Sequence, residues 1–226
     1  MPAISVIVPA AGSGRRFGSD RNKIFQPLCG RAIFLKTLEV FAAREDVIQI
    51  LLVVSAADQA DIRDQFAADL ATMNVEVVLG GAVRSQSVQN ALARLDDAAD
   101  LVAVHDAVRP CVAQPWLDAV FAKAAETGAA MLAYPVHGTL KRVEDGVITD
   151  TVPRAGLWEA QTPQVFGREV ILKAYDRDDI ETVTDDAMLA EAIGQPVRVV
   201  AGDPRNIKIT TPGDLELARA VINTLP

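Results

Sequence analysis

Ile4-Ser5-Val6-Ile7-Val8-Pro9-Ala10-Ala11-Gly12-Ser13-Gly14-Arg15-Arg16-Phe17-Gly18 decides how the rest of the chain is read. An aliphatic run, Ile4 to Val8, leads into glycines and small residues, where backbone N–H groups can approach a ligand because few side chains intervene. Such a loop can cradle phosphate. Arg15, Arg16, Arg21 and Lys23 then fall within nine residues against one acid, Asp20, in a chain of net charge -8. A structural glycine-rich turn with a solvated basic face is the competing reading of this stretch alone.

The same residues count against two common phosphate-binding frames. Gly12-Ser13-Gly14-Arg15-Arg16-Phe17 lacks the last glycine of the dinucleotide fingerprint, and the next strand candidate, Ile48 to Val54, ends on Ser55 where an acid would grip a ribose. No Gly-Lys-Ser/Thr follows at P-loop spacing.

Beyond the loop, helix and strand signals alternate. Phe34, Leu38 and Phe41 predict a helix over Ile33 to Arg44, and the aliphatic run Ile48 to Val54 suits a strand buried on both faces. Asp58 is the candidate cap of a helix carrying Ile62, Phe66 and Leu70, and Val75 to Leu79 is the next strand, broken by Gly80-Gly81. A helix from Ser85 to Leu95, a strand from Leu101 to His105, a helix opened by Gln114-Pro115 and a strand from Ala129 to Tyr134 continue the rhythm. Alternation of this kind implies right-handed crossovers and a mostly parallel sheet with ligands outside the carboxyl ends of its strands. The loops after Val8, Leu79 and His105 should share one edge.

At Pro135 the rhythm changes. Thr139 to Val143 and Val147 to Val152 flank Asp145-Gly146, a two-residue hairpin signal. A lone hairpin is marginal in water, so it needs a packing partner, either a second copy of the chain or another part of the same one. Further on come Gln161 to Phe166, a helix near Arg168 to Tyr175 and a short helix from Asp185 to Ile193. Thr184 is the expected cap of that short helix, with Asp185 and Asp186 in structural roles. Edge strands are expected at Val197 to Val200 and Ile207 to Thr210, before a last helix introduced by Thr211-Pro212-Gly213-Asp214.

Composition narrows the function. With 226 residues, half of them hydrophobic, one domain over 1–226 can bury a sizeable core, and no repeat or linker divides it. No apolar run approaches the roughly 20 residues of a membrane span, and Met1-Pro2-Ala3-Ile4 lacks a secretion signal's features, so a cytoplasmic protein without a membrane partner is expected. A pI near 4.8 argues against non-specific nucleic-acid binding. Cys29 and Cys111 form neither a disulfide framework nor a CxxC pair and read as small buried hydrophobes. With only His105 and His137, a multi-histidine metal centre is excluded, and no nucleophile-elbow motif supports a serine triad.

His105-Asp106-Ala107-Val108-Arg109-Pro110 lies at the edge expected for the glycine loop. Asp106 is either an oxygen ligand for Mg²⁺, which takes one or two carboxylates plus phosphate oxygens, or a loop cap and partner for Arg109. Gly80 to Ser87 either reads a base or ribose or simply starts a helix. Together these features suit a nucleotide held by amides, cations and one metal, for a transfer that needs positioning and charge neutralisation above all. A phosphate monoester nucleophile, with a second pKa near ~6, is largely dianionic at neutral pH and requires no general base.

Pro9-Ala10-Ala11-Gly12-Ser13-Gly14-Arg15-Arg16, Gly80-Gly81 with Arg84 and Ser87-Val88, His105-Asp106-Ala107-Val108-Arg109-Pro110, Thr139-Leu140-Lys141-Arg142, Thr151-Val152-Pro153-Arg154, Leu157-Trp158, Thr162-Pro163-Gln164 and Asn206-Ile207-Lys208-Ile209-Thr210 closely resemble the 2-C-methyl-D-erythritol 4-phosphate cytidylyltransferase family, in family order over nearly the whole chain. The resemblance implies a Rossmann-like three-layer α/β sandwich of the nucleotide-diphospho-sugar transferase type, with a mostly parallel mixed sheet and a β-hairpin dimerisation arm at about 136–156. It implies transfer of CMP from CTP to 2-C-methyl-D-erythritol 4-phosphate, releasing pyrophosphate, in non-mevalonate isoprenoid synthesis. Carried over by residue, Ala10, Ala11, Gly12 and Gly14 line the CTP site, and Gly81, Ala82 and Ser87 lie near cytosine and ribose. Arg16, Lys23 and Lys208 stabilise charge at the α-phosphate, Asp106 holds Mg²⁺ (other divalent cations being possible), and Arg109 helps bind the acceptor. Thr139 and Arg154 contact the acceptor of the neighbouring subunit in a homodimer.

Two departures stand out. Asn22-Lys23-Ile24-Phe25 replaces the family's usual Pro-Lys-Gln, and Ala82 stands where relatives often carry an acid. No cyclase domain follows Pro226, so a fused two-enzyme form is not expected. The rivals are a ribitol-5-phosphate cytidylyltransferase, which shares the HDAxRP segment and glycine loop, and a non-catalytic nucleotide-binding subunit.

Overall fold

The computed structural model describes residues 1–12, 17, 22–177 and 179–226. Strand β1 (Ile4–Pro9) is followed by a short antiparallel pair, β2 (Pro27–Leu28) and β3 (Arg31–Ala32), then α1 (Ile33–Ala42), β4 (Val47–Val54), α2 (Gln59–Thr72), β5 (Val75–Leu79) and α3 (Arg84–Leu92). Next come β6 (Leu101–Val104), α4 (Gln114–Thr127), β7 (Ala129–Pro135), β8 (Leu140–Glu144), β9 (Val147–Val152), β10 (Trp158–Gly167), α5 (Arg168–Tyr175), α6 (Asp186–Ala192), β11 (Arg198–Ala201) and α7 (Pro212–Val221). Seven strands form one sheet in the order β11-β7-β10-β6-β1-β4-β5. Only β10 runs antiparallel to its neighbours, β6 and β7. The sheet is mixed but mostly parallel, as expected.

The aliphatic strands explain the three layers. Alternate side chains on a strand point to opposite faces, so a strand apolar at every position feeds two cores. Ile4, Val6, Val8, Ile50, Leu52 and Val54 pack with Phe34, Leu38 and Phe41 of α1, Leu117 and Phe121 of α4 and Leu215 of α7. Ile7, Leu51, Val53, Val102 and Val104 pack with Val88 and Leu92 of α3, Ile171 of α5 and Leu189 of α6. Fully burying such a side chain contributes about 1.5–3 kcal/mol. Pro115 stands in the first turn of α4, and Gly128 ends the helix at φ 83, a left-handed position that favours glycine.

Strands β8 and β9 form the expected hairpin as a separate two-stranded sheet. Asp145 and Gly146 both have positive φ, 49 and 80, as a type I′ turn requires. Val143, Val147 and Ile148 are 53%, 65% and 60% exposed, so no element described in this chain covers them.

Several local expectations are corrected. Asp185, not Thr184, caps α6, its side chain accepting from Met188 N, while the Thr184 hydroxyl turns to Met188 Sδ. Asp58 precedes α2 without capping it by side chain, because its carboxylate accepts Ser55 Oγ and Asn22 Nδ2. Residues 207–210 are not a strand; Ile209 is buried and its N–H donates to Val108 O, a single tie rather than a ladder. Cys111 is buried as expected, but Cys29 is exposed, at φ 49 in the turn between β2 and β3.

Candidate active site

The loops after β1, β5 and β6 meet at one edge, where with residues 207–210 they enclose a cleft of about 560 Å³. Its described lining includes Pro9 to Gly12, Lys23, Ile24, Gly81 to Arg84, Ser87, Asp106 and Lys208. Asp106 is the only carboxylate among these residues, which also include Lys23, Arg84 and Lys208. A cationic cleft has formed in an acidic chain.

Lys23 owes its placement to the residues that depart from the family pattern. Asn22 donates to Gly12 O at 3.0 Å and to Asp58 Oδ2 at 2.8 Å, and its Oδ1 accepts Ile24 N, starting a single 3₁₀ turn at Lys23–Phe25. Ile24 is buried, and Phe25 stacks on Phe66 and meets Phe34 edge to face. One clasp and one aromatic cluster therefore fix both sides of the lysine.

The β5–α3 loop depends on close approach. A Cβ on Gly80 would lie 2.7 Å from Ala11 Cβ, and one on Gly81 would lie 2.5 Å from Gln86 Cβ. Ser87 Oγ accepts Gly81 N and donates to Val83 O, while Gln86 Oε1 accepts Ala82 N. Gln86 also donates to Glu181, tying the loop to the segment before α6. Gly12 differs, since open space lies where its Cβ would be.

Asp106 is the electrostatic centre. Lys208 Nζ lies 2.7 Å from its Oδ2, Arg84 Nε 3.4 Å from its Oδ1, and Arg109 Nε 3.7 Å from Oδ2. Burial alone would raise its pKa, but Arg84, Lys208 and Arg109 outweigh burial and hold it well below the usual carboxylate range. Burial likewise opposes the charge on Arg84, yet Asp186 and Asp106 raise its pKa overall. His105 is fully buried, with Nε2 donating to Arg109 O and Nδ1 accepting from Thr162 Oγ1; burial pushes it down to about 4, so it is neutral. Its ring serves to pin the loop.

Arg109 is buried and does not line the cleft. Its NH1 donates to Asn206 O at 2.7 Å, and Asn206 Nδ2 donates to Thr162 O at 2.9 Å. Together with Ile209 N on Val108 O, these bonds fasten residues 206–210 to the sheet and bring Lys208 to Asp106. Thr139 and Arg154 stand exposed at the root of the hairpin, outside their own chain's cleft, where the Arg154 guanidinium donates to His137 O. Gly14 and Arg16 fall outside the described residues.

Sequence reasoning gave no role to Thr37, whose buried hydroxyl donates to Ala107 O at 2.9 Å, nor to Arg84, Asp186 and Tyr175 as a linked group. Arg84 had one signal, its place beside the glycine pair; the partners had none. Among the described residues no cluster of three or more His, Cys, Asp or Glu side chains gathers to hold a metal alone. One anionic carboxylate at the edge of a cationic cleft is nonetheless the donor set Mg²⁺ takes when nucleotide oxygens and water complete its shell. Asp106 fits that ion.

Comparison with known proteins gives a consistent answer. The family model described as 2-C-methyl-D-erythritol 4-phosphate cytidylyltransferase (IspD) matches residues 4–224. A protein of that name from Rhodopirellula baltica is 48% identical over 98% of this chain and 95% of its own, and one from Geobacter metallireducens 43% identical over 97% of each. The crystal structure of the Francisella tularensis enzyme of that name aligns with a TM-score of 0.82 at 31% identity, over 96% of this chain and 99% of its own. A sheet edge built around a glycine loop, the Asp106 carboxylate and converging cations, with likeness along the whole length, makes this chain a member of the 2-C-methyl-D-erythritol 4-phosphate cytidylyltransferase family.

Proposed function

We propose that the chain is a Mg²⁺-dependent, cytoplasmic cytidylyltransferase that joins CTP and 2-C-methyl-D-erythritol 4-phosphate into 4-diphosphocytidyl-2-C-methyl-D-erythritol and pyrophosphate, in non-mevalonate isoprenoid biosynthesis. The observation that carries this reading is the cleft itself, in which one carboxylate shares the described lining with three cations and no acid–base pair is present among those residues. An oxygen of the acceptor's phosphate forms a bond to the α-phosphorus of CTP. The bond from that phosphorus to the pyrophosphate oxygen breaks, and pyrophosphate leaves with the electron pair. The acceptor is already dianionic near neutral pH, and the neutral, occupied His105 is not needed as a base.

The chain's work is positioning and charge. The backbone of Ala10, Ala11, Gly12 and Gly14 receives the triphosphate, and Gly81, Ala82 and Ser87 receive the cytidine. Lys23 and Lys208, with Arg16, neutralise charge that builds on the α-phosphate in the transition state. Asp106 would hold Mg²⁺, which when bound draws charge from the phosphate oxygens and orients the leaving group. Arg109 secures the segment carrying Lys208 and serves the acceptor side. Thr139 and Arg154 reach the neighbouring subunit's acceptor in a homodimer built through the hairpin, whose exposed Val143, Val147 and Ile148 supply an apolar surface for that contact.

The test is pyrophosphate release with CTP and Mg²⁺, comparing 2-C-methyl-D-erythritol 4-phosphate, ribitol 5-phosphate and no acceptor. Release with the first alone is expected. Preference for ribitol 5-phosphate would transfer the mechanism to that acceptor, and CTP binding without any release would make the chain a binding subunit.

A further inference from the structure

Asp106 is held differently at its two oxygens. Oδ2 receives Lys208, whose side chain is 41% exposed, at 2.7 Å and faces buried Arg109 at 3.7 Å, whereas Oδ1 faces Arg84, which is tethered from behind. Arg84 NH2 donates to Asp186 Oδ2 at 2.8 Å. The Asp186 side chain has no exposed surface, and its other oxygen accepts the hydroxyl of buried Tyr175. Asp186 cannot swing away, because the start of α6 is fastened to β10 on both sides of it: Gln164 Nε2 donates to Asp185 Oδ2, and Gln164 Oε1 accepts Ala187 N, each at 2.9 Å.

Burying a carboxylate completely is costly, and a buried ion pair is weak support for stability by itself. This pair does something more specific, since it fixes the guanidinium that touches Asp106. We propose that Asp186 and Tyr175 are positioning residues for nucleotidyl transfer, locking Arg84 on Asp106 Oδ1 while Lys208 exchanges between Oδ2 and the substrate phosphates. The inference rests on the cytidylyltransferase reading. The exposed lysine is the exchangeable partner of Asp106, and the anchored Arg84 is the permanent partner of Oδ1. With Oδ1 held, the carboxylate keeps its orientation as Oδ2 turns from ammonium to divalent cation. The Arg84–Asp186 pair is locally neutral, so Arg84 adds little net charge to the cleft.

A double-mutant cycle on Mn²⁺ binding tests this. Mn²⁺ affinity in the presence of CTP, without acceptor, is read by electron paramagnetic resonance for wild type, Arg84→Gln, Asp186→Asn and the double variant, alongside kcat and KM. Asp186→Asn keeps the side chain's shape and removes its charge. It should weaken Mn²⁺ binding by about tenfold or more and lower kcat with little change in acceptor KM, as loss of an outer-shell partner commonly costs about 10–100-fold. If Asp186 acts through Arg84, the double variant will be no worse than Arg84→Gln alone. Tyr175→Phe, which removes only a hydroxyl, should shift Mn²⁺ affinity less in the same direction, and it carries the test should Asp186→Asn fail to fold. Wild-type Mn²⁺ affinity in Asp186→Asn, or in Tyr175→Phe where that variant alone folds, would overturn the positioning role, as would single defects that multiply in the double variant. A wild-type chain that binds no Mn²⁺ with CTP would overturn the cytidylyltransferase reading as well, and so the two failures are distinguishable.

Discussion

Replacing His105 with glutamine should flatten a defined part of the protein's acid sensitivity. In the fold the ring is neutral: Arg109 O can only accept, so Nε2 carries the hydrogen, and Nδ1 accepts from the Thr162 hydroxyl, which in turn accepts Asp106 N. A second proton on Nδ1 would set two donors against each other and loosen the loop that carries Asp106. Burial therefore lowers His105 from its ordinary 6.5 to about 4, while the unfolded chain protonates normally. A group whose folded pKa is depressed contributes stability above the unfolded value, and loses it as pH falls from about 6.5 towards 4. From about pH 7 to about pH 5 the loss comes to about 2 kcal/mol, a sizeable share of a typical 5–15 kcal/mol. Urea unfolding of wild type and His105→Gln at both pH values measures it. The wild-type midpoint should fall by about 1 M more than the variant's, taking a slope near 2 kcal/mol per molar. Equal losses in the two proteins would refute a buried neutral histidine.

Three further outcomes follow from the cleft. Lys23→Ala and Arg16→Ala should each lower kcat by about 10² or more with a smaller change in CTP affinity, measured by steady-state kinetics and calorimetry, because the proposed roles put their charge to use in the transition state. Gly81→Ala, which sets a Cβ against Gln86, should raise the KM for CTP by about tenfold, on the order of 1.4 kcal/mol, with kcat less affected. Mixed chains of Arg154→Ala and Lys23→Ala should regain activity that neither has alone; absence of rescue after verified subunit exchange would remove the shared site.

Strands β1, β4 and β6 were legible because they are apolar at nearly every position, so Ile48 to Val54 could be little other than a strand buried on both faces, whereas β10, with Glu159, Gln161, Thr162 and Gln164, carried no such pattern. The shared edge followed from alternation alone, and the cleft joins the three loops it named. What escaped was set by contacts distant in sequence or by near-equal local choices. Thr184 and Asp185 are both good caps, and only the aim of each side chain decided between them. Ile207 to Thr210 alternates like a strand, yet no ladder forms; a bond from Ile209 to Val108, the Asn206 bonds before it, those of Thr210 to Asp214 and a buried Ile209 hold it instead. The turn at Cys29-Gly30 adopts positive φ at both residues without the Asn-Gly or Asp-Gly signature, which is why Cys29 is exposed. Arg84 and Asp186 meet across 102 residues, a separation no local pattern reports.

The cationic cleft inside an acidic surface also governs traffic. At physiological salt a charge is felt over roughly 8 Å, so an incoming polyanion meets the surface of a chain of net charge -8 before it meets Lys23 and Lys208. Arrival is slowed, and capture is confined to the last stretch of the approach. The asymmetry favours departure: pyrophosphate that steps beyond the reach of the lysines is pushed outward by the chain's net negative charge, so the charge that delays substrate also discourages product from returning.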